Sequence, residues 1–160
     1  MNISEWGTSK KLIAAVVLVL LLWVVYSTFF TPNSETQAIL DLPEGTVTIV
    51  NDGGQEVTID VKIGSSATRF KGVDPEVIQE TVVYITTPFP ASAERTFEPV
   101  KAPLQYARFG GDGQIQKIHD IPADTEKTIT PEEKYQHTLI ARDGFFAEHD
   151  ISVDNGSTIQ

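Results

Sequence analysis

The sequence predicts a mainly β protein, a small barrel or sandwich with one or two short helices, preceded by a single transmembrane helix. An uncharged apolar run occupies residues 12–30, and six to eight short segments after residue 44 alternate apolar and polar residues between Gly, Asn, Asp and Pro. A period of two is typical of half-buried strands, and a long apolar run is typical of a membrane-spanning helix. The predicted organisation is a short cytoplasmic N-terminus (1–11), a transmembrane helix (12–30), a linker (31–43) and an extracytoplasmic β-rich domain (44–160).

The apolar run LIAAVVLVLLLWVVYSTFF contains no charged residue and no proline. As a helix it would rise ~28 Å, close to the ~30 Å hydrocarbon core of a bilayer. Lys10 and Lys11 precede it, and the next basic residue is Lys62. The positive-inside rule therefore places the N-terminus in the cytoplasm and the domain outside. Because amphipathic aromatic residues favour the interface, Trp23 and Tyr26 join Lys10 and Lys11 as predicted membrane-interface anchors.

Two other kinds of N-terminal segment fit this pattern less well. A cleaved signal peptide has a shorter apolar run and small residues at its cleavage site. Here the run is long, ends in bulky aromatic residues and has no A-x-A pattern after it. A type IV pilin would place a glutamate just inside the apolar run, whereas Glu5 precedes it. An uncleaved anchor is therefore the preferred prediction.

The first predicted strands follow a polar segment, 31–43, which contains prolines and is typical of a linker. TVTIV and EVTIDVKI flank Asn-Asp-Gly-Gly, a sequence that favours the positive-φ residues of a tight hairpin turn. In the second strand, alternate residues share one face, which is predicted to point to the core. These residues are Val57, Ile59, Val61 and Ile63.

The remaining segments predict further short strands and turns. Residues 65–80 lack a strand pattern and predict a loop with one or two helical turns, one starting at Asp74-Pro75. The β-branched TVVYITT predicts a buried strand. RTFEPV predicts a poorer strand, which Pro99 would either confine to an edge or end. LQYARF and QIQKIHDI flank GGDG and predict a second hairpin. YQHTLIA predicts a strand, GFFAEHD a helical turn, and ISVDNGSTI a turn with a terminal strand.

Composition excludes several classes of function. The chain has 12 Lys or Arg against 22 Asp or Glu, a net charge of −10. Nucleic-acid binding needs positive charge to displace counterions from phosphates, so this balance argues against a nucleic-acid partner. The chain has no cysteine, which excludes disulfides, thiolate metal sites and cysteine nucleophiles.

The candidate metal ligands are three histidines and two acidic clusters. His119, His137 and His149 show neither H-x-H nor H-x₃-H spacing, and the acidic clusters at 120–126 and 132–133 lack the order of an EF-hand. His119 and Asp120 are adjacent on a predicted strand and so point to opposite faces. No catalytic, cofactor-binding or metal site is therefore predicted, and no cofactor.

Other short motifs give little support for a defined chemistry. GGDG is followed by no P-loop lysine, and no serine lies in a G-x-S-x-G motif. The plentiful carboxylates leave a two-carboxylate glycosidase open. N-glycosylation tripeptides occur at Asn2, on the predicted cytoplasmic side, and at Asn155.

A series of motifs follows in one order along most of the predicted domain. Arg69-Phe-Lys-Gly72-Val73 precedes the strand TVVYI, then come Phe97, Pro103-Leu104 with a strand to Phe109, the turn Asp112-Gly113, and TLIARDGFFAEHDISVDNGSTI. From about Val57 to Ile159 this order resembles the domain of unknown function 192 family, in which the arginine and glycine stand in an R-x-x-G-L context. Its members are commonly exported or membrane-anchored, so the resemblance implies a fold and a location.

The chain also departs from that family. The family's Trp-Met-Lys-Asn stretch is missing, Gln105 replaces the aspartate of Pro-Leu-Asp, and the usual cysteines are absent. A ligand site of the family built on those residues would be lost or altered here. The resemblance implies no activity, since the family has none established.

Together these observations favour a non-enzymatic, membrane-anchored extracytoplasmic binding or interaction domain, such as an accessory subunit of a larger membrane protein complex. The expected partners are the lipid bilayer, through the N-terminal helix, and other membrane or envelope proteins. The expected location is the cell membrane, with a single pass. The alternative is a cell-envelope hydrolase or carbohydrate-binding module, whose enzymatic form would need a concave pocket with two converging carboxylates.

Overall fold

The computed structural model describes residues 8–29, 32–51, 53–154 and 156–160. For residues 8–11 and 28–29 it describes the backbone alone. The chain forms two compact units that divide between Pro32 and Asn33. Three sequence predictions lie outside the described residues. They are the side chains of Lys10 and Lys11 and the two glycosylation tripeptides, which contain Asn2 and Asn155.

The first unit contains helix α1 (Thr8–Phe29). Its described side chains run from Leu12 to Ser27, and the large apolar ones among them are exposed. Within the part of the chain that the structure describes, no helix is both long and apolar enough to cross a membrane.

The second unit is mainly β, which confirms that part of the predicted fold class, and its described residues form three short helices where one or two were expected. Its helices are α2 (Ser34–Leu40), α3 (Pro75–Glu80) and α4 (Phe145–Glu148). Its strands are β1 (Glu44–Val50), β2 (Glu56–Ile63), β3 (Val83–Ala91), β4 (Arg95–Phe97), β5 (Leu104–Phe109), β6 (Ile115–Ile121), β7 (Lys127–Ile129), β8 (Tyr135–Arg142) and β9 (Thr158–Ile159).

Seven strands form one curled sheet in the order β6-β5-β8-β3-β2-β1-β9. The β2–β3 pair is parallel, and the other pairs are antiparallel. Strand β9 pairs with β1, yet Thr158 also bridges to Gln114, immediately before β6. The C-terminal segment therefore contacts both edges of the sheet, which is curled into a half-barrel. Strands β4 and β7 form a separate two-stranded ribbon.

The sheet has a hydrophobic core on each face, and β5 contributes to both. Leu104 and Tyr106 belong to one core, which also includes Ile39 of α2 and Phe97 of β4. Ala107, two residues before the end of the strand, belongs to the core on the other face. This alternation follows from the two-residue period of a strand.

The predicted hairpins and several other elements agree with the structure. β1 and β2 pair antiparallel around residues 51–55, and β5 and β6 pair around Gly110–Gln114. Ile59 and Val61 are buried, whereas Val57 and Ile63 are only partly buried. Helix α3 begins directly after Asp74, and α4 occupies the predicted turn GFFAEHD. Pro99 follows the end of β4, as its sequence suggests.

The segment 31–43, expected to be a linker, instead contains α2 and belongs mostly to the domain. Asn33 caps this helix, because its Oδ1 accepts from the Thr36 N–H at 2.8 Å, and its Nδ2 donates to the Gly72 carbonyl at 2.9 Å. Thr36 and Ile39 are buried. Seven residues are too few for a helical period to be recognised against the polar composition. Strand β7 was also not expected from the sequence, since only three residues pair there.

The burial of α2 predicts a contrast between two neighbouring residues. Ile39→Ala should lower the free energy of unfolding by about 2–4 kcal/mol, because Ile39 is 2% exposed within the core. Leu40→Ala, at a side chain that is 37% exposed, should cost less than about 1 kcal/mol. Urea unfolding of the two variants measures this difference. Equally small losses of free energy in both variants would show that the burial of Ile39 does not stabilise the domain.

The closure of the sheet predicts a second contrast, between two glycines with positive φ. A Cβ at Gly113 would overlap the Ile159 carbonyl, next to the bond in which Ile159 N–H donates to Gly113 C=O at 2.8 Å. A Cβ at Gly54 would meet nothing within 4 Å. Gly113→Ala should therefore cost about 3 kcal/mol and Gly54→Ala about 1 kcal/mol. Similar losses in urea unfolding would contradict a close packing of β9 on Gly113.

Candidate functional site

The best-defined polar site is a group of buried and half-buried side chains on one face of the sheet, here called the Arg108 cluster. It comprises Arg95, Tyr106, Arg108, His119 and Tyr135. Strand pairing brings most of it together, because Tyr106 of β5 lies opposite His119 of β6, and β5 also pairs with β8, which begins at Tyr135. Arg95 comes from the β4–β7 ribbon, and its guanidinium carbon lies 6.0 Å from the centre of the Tyr106 ring.

Arg108 is the most unusual member of this cluster. It is only 3% exposed, and its Nε and Nη1 are buried without a hydrogen-bond partner among the described residues. Its guanidinium carbon lies 5.9 Å from the centre of the Tyr135 ring, at the outer range of a cation–π contact. Such a contact offsets only part of the cost of burying a charge.

Arg95 is a second partly buried guanidinium with incomplete hydrogen bonding. Its Nη2 donates to the Thr68 carbonyl at 2.9 Å, while its Nε is buried without a partner in the described chain. Its guanidinium carbon lies 5.1 Å from the centre of the Phe97 ring. Burial lowers the pKa of Arg95, and the nearby Arg69 adds to that effect while Tyr106 opposes it.

Tyr106 lies in the field of both guanidinium groups. Burial raises the pKa of its phenol strongly, the neighbouring Tyr135 raises it further, and Arg95 and Arg108 oppose this rise. The Tyr106 hydroxyl therefore stays protonated at neutral pH, and it is hydrogen-bonded with Tyr135. The Tyr135 hydroxyl donates to the Ala93 carbonyl, just before β4, at 3.0 Å.

His119 adds a neutral imidazole to the cluster. Its ring stacks at 6.2 Å from Tyr106, and its Nε2 is buried without a partner among the described residues. Burial lowers the pKa of His119, and the positive charges of Arg108, Lys117 and Lys127 lower it further, while Glu132 opposes them. The ring is therefore neutral at pH 7.

The Arg108 cluster is a place of positive potential in an acidic chain. Within the described residues, no ion pair joins Arg95, Arg108 or His119 to a carboxylate. The cluster thus presents more N–H and O–H donors than acceptors. Guanidinium groups match the paired oxygens of carboxylate and phosphate, so the arrangement is suited to holding an anion.

The residues singled out from the sequence belong to both units of the chain. Trp23 and Tyr26 are 64% and 60% exposed on α1. His137 Nδ1 lies 2.7 Å from the Tyr84 hydroxyl, and His149 packs against the Phe145 ring at 4.6 Å. Among the described residues, no group of three or more His, Asp or Glu is arranged to hold a metal ion.

The predicted acidic clusters make ordinary surface contacts. Asp120 accepts from Gln105 Nε2 at 3.0 Å, and Glu132 pairs with Lys117 at 3.3 Å. Gln105, which stands where the resembled family has an aspartate, is thus bonded across the β5–β6 hairpin. Asp120, on β6, and Glu132, in the segment before β8, are both exposed.

A separate groove of about 490 Å³ lies at the start of β1 and is lined by three carboxylates and a lysine. The carboxylates, Glu44, Asp60 and Glu80, are all exposed. Lys62 pairs with Glu44 at 3.0 Å and also donates to the Leu40 carbonyl at 2.9 Å. A two-carboxylate mechanism needs one carboxylic acid held protonated by an apolar environment, and exposed groups lack that environment.

The Arg108 cluster was not predicted from the sequence, although one signal was present. In LQYARF, Leu104, Tyr106 and Arg108 share one face of the strand, so a charged residue follows two apolar ones on a core-facing side. Arg95 and Tyr135 come from distant segments: the ribbon carries Arg95 to this face, and the pairing of β8 with β5 places Tyr135 there.

No family model matches the chain, and no curated protein matches it either. Two solved structures are similar in fold. One is a protein from Sinorhizobium meliloti 1021, provisionally described as a transcription regulator, with a TM-score of 0.56 and 14% identity over 74% of this chain and 94% of that one. The other is a protein of unknown function from Novosphingobium aromaticivorans DSM 12444, with a TM-score of 0.58 and 16% identity over 84% of this chain and 96% of that one. At such identities the comparison establishes the fold alone.

The two histidines whose pKa is lowered, His119 and His137, predict a loss of stability in mild acid. Burial is the main cause for both. Between their lowered pKa values and the ordinary value of 6.5, the unfolded chain binds more protons than the folded protein. Stability should therefore be full above pH 6.5 and should decrease as the pH falls through this window.

The measurement is the free energy of urea unfolding from about pH 7.5 to about pH 5.5. The double variant His119→Gln, His137→Gln should lose less stability over this range than the unsubstituted chain. The carboxylates titrate equally in both proteins, so the difference between the two slopes isolates the histidines. Identical slopes would contradict the prediction.

Proposed function

We propose that this chain is a single-pass membrane protein whose β-rich domain is held outside the cytoplasm as a binding subunit. The observation that supports this most directly is the long run of exposed apolar side chains on α1, from Leu12 to Tyr26. A continuous apolar surface on all sides of a helix is suited to a lipid environment and unsuited to water.

The length of the whole apolar run supports a membrane span. The described side chains of α1 cover 16 residues, a rise of about 24 Å, but the sequence continues the uncharged run to Phe30, 19 residues in all. As a helix that length rises ~28 Å, slightly less than the ~30 Å bilayer core, and a small local thinning of the bilayer accommodates the difference. Lys10 and Lys11 before the run favour a cytoplasmic N-terminus.

A binding role is supported by the composition of the domain and by the Arg108 cluster. The described residues present a cluster of donors suited to an anion and a groove whose carboxylates are exposed. We propose that the domain acts as an accessory subunit that recognises a ligand or a neighbouring protein, and that it is not an enzyme. Its resemblance to the domain of unknown function 192 family, noted from motifs, is part of the same proposal.

One structural neighbour is provisionally described as a transcription regulator, and a similar role is less well supported for this chain. The net charge of −10 opposes binding to a phosphate backbone. The arginines of the Arg108 cluster are buried or partly buried and do not form an exposed basic face. We therefore propose a partner other than nucleic acid.

The membrane anchor is tested by alkaline carbonate extraction of membranes that contain the full chain. The unsubstituted protein should stay in the membrane pellet. Leu18→Arg combined with Leu21→Arg should move most of the protein to the soluble fraction, because each arginine near the centre of a span costs about 2.5–3.5 kcal/mol. The matched control, Phe89→Arg with Val153→Arg, adds the same charge at exposed positions of the domain and should remain in the pellet.

The orientation is tested by labelling single introduced cysteines, since the chain has no cysteine of its own. Ser66→Cys, at an exposed position, should react with a membrane-impermeant maleimide in intact cells. Thr8→Cys should react only after the membrane is permeabilised. The reverse pattern would place the domain in the cytoplasm, and extraction of the unsubstituted chain by carbonate would overturn the anchor itself.

A further inference from the structure

The Arg108 cluster has a property that a purely structural core would avoid. The guanidinium of Arg108 is almost completely buried, and two of its nitrogens have no acceptor in the described protein. A second guanidinium, that of Arg95, lies 6.0 Å from the centre of the Tyr106 ring. Buried charges in proteins are ordinarily paired or bound to a ligand, since removing a charge from water is costly. Neither the Tyr135 ring nor the Thr68 carbonyl supplies the negative charge that would balance the pair.

We propose that Arg108, assisted by Arg95, binds a small oxyanion, a phosphate or carboxylate group, beneath the β4–β7 ribbon. This inference gives a ligand class to the proposed binding role and rests on that role, but it is independent of the membrane anchor. The protonated Tyr106 hydroxyl is hydrogen-bonded with Tyr135 and lies in the field of both guanidiniums. The neutral His119 ring stacks on Tyr106 and adds no competing negative charge.

The position of the cluster also suggests how an anion reaches it. The cavity beside Arg95 is lined by Thr68, Phe97 and their neighbours, does not reach Arg108, and has a volume of only about 10 Å³. Since this space holds no more than a water molecule, an anion can reach Arg108 from this side only if the ribbon moves. The ribbon consists of two strands of three residues each, and so short a pair is marginal by itself. Its ties to the rest of the domain include the bonds from Tyr135 to Ala93 and from Arg95 to Thr68.

The test measures the thermal unfolding temperature of the full chain in a nonionic detergent. Sodium phosphate and sodium acetate are each compared with sodium chloride at equal ionic strength and fixed pH. A ligand that binds the folded state raises this temperature in a saturable way. At about 50 mM, phosphate or acetate should raise it by about 3 °C or more over chloride. The anion that acts at the lower concentration identifies the preferred group.

Two arginine variants separate binding from a general salt effect. Arg108→Met should abolish the anion-dependent rise, and in chloride alone its unfolding temperature should equal or exceed that of the unsubstituted chain, because an unpaired buried charge has been removed. Arg142→Met removes the same charge from the ion pair with Glu148 at the end of β8 and should keep the full rise. If both variants keep the rise, or if neither phosphate nor acetate exceeds chloride, the proposal is wrong.

Two milder variants keep the test informative if Arg108→Met does not fold. Arg108→Lys retains the charge but loses the planar fork, and it should weaken the apparent affinity at least about 5-fold. Arg95→Met should weaken it by about 10-fold while leaving Arg108 in place. An arginine needed only to pack against Tyr135 would instead lower the unfolding temperature of these variants equally in all three salts, which would overturn the proposal. Carbonate extraction stays unchanged in either case, so failure here leaves the anchor intact.

Discussion

The structure of the domain depends on burying both faces of the central strands. Strands β5 and β8 lie inside the sheet with neighbours on each side, and their residues enter two different hydrophobic cores. One face is enclosed by the curl of the sheet itself, because β9 connects β1 to the segment before β6. The other face has to be covered by additional elements. Helix α2 and the β4–β7 ribbon contribute Ile39, Phe97 and Ile129 to that cover.

That second face explains why the polar cluster exists where it does. The ribbon is short and separate from the main sheet, so it covers the face with few hydrogen bonds. Near the ribbon the core changes from aliphatic side chains to arginine, tyrosine and histidine. Buried polar groups of this kind stabilise a fold only when their donors are satisfied. A region with unsatisfied donors under a weakly held cover is thus the part of the domain best suited to exchange contacts with a ligand.

The two units of the chain follow different physical rules. The domain buries apolar side chains in two cores and exposes charge, which keeps an acidic surface in water. Helix α1 exposes apolar side chains and has no charge between Lys11 and Phe29. These opposite preferences support the proposal that the units occupy different environments, since an exposed apolar helix gains free energy by leaving water.

The sequence by itself determined the elements whose signals are local. The alternation in EVTIDVKI, the turn residues of NDGG and GGDG, and the proline after Asp74 all act within a few residues, and the corresponding hairpins and helix α3 agree with the structure. The apolar run from Leu12 is equally local, and it led to a membrane anchor that stays a prediction.

Only the tertiary structure decided which segments complete the domain and which side chains meet. Helix α2 is stabilised by Asn33 contacting Gly72, 39 residues away, and by Ile39 entering a core made elsewhere, so its polar sequence resembled a linker. The Arg108 cluster joins β4, β5, β6 and β8, and no spacing along the chain encodes that meeting. Local sequence fixes local geometry, whereas long-range burial depends on how the whole sheet curls.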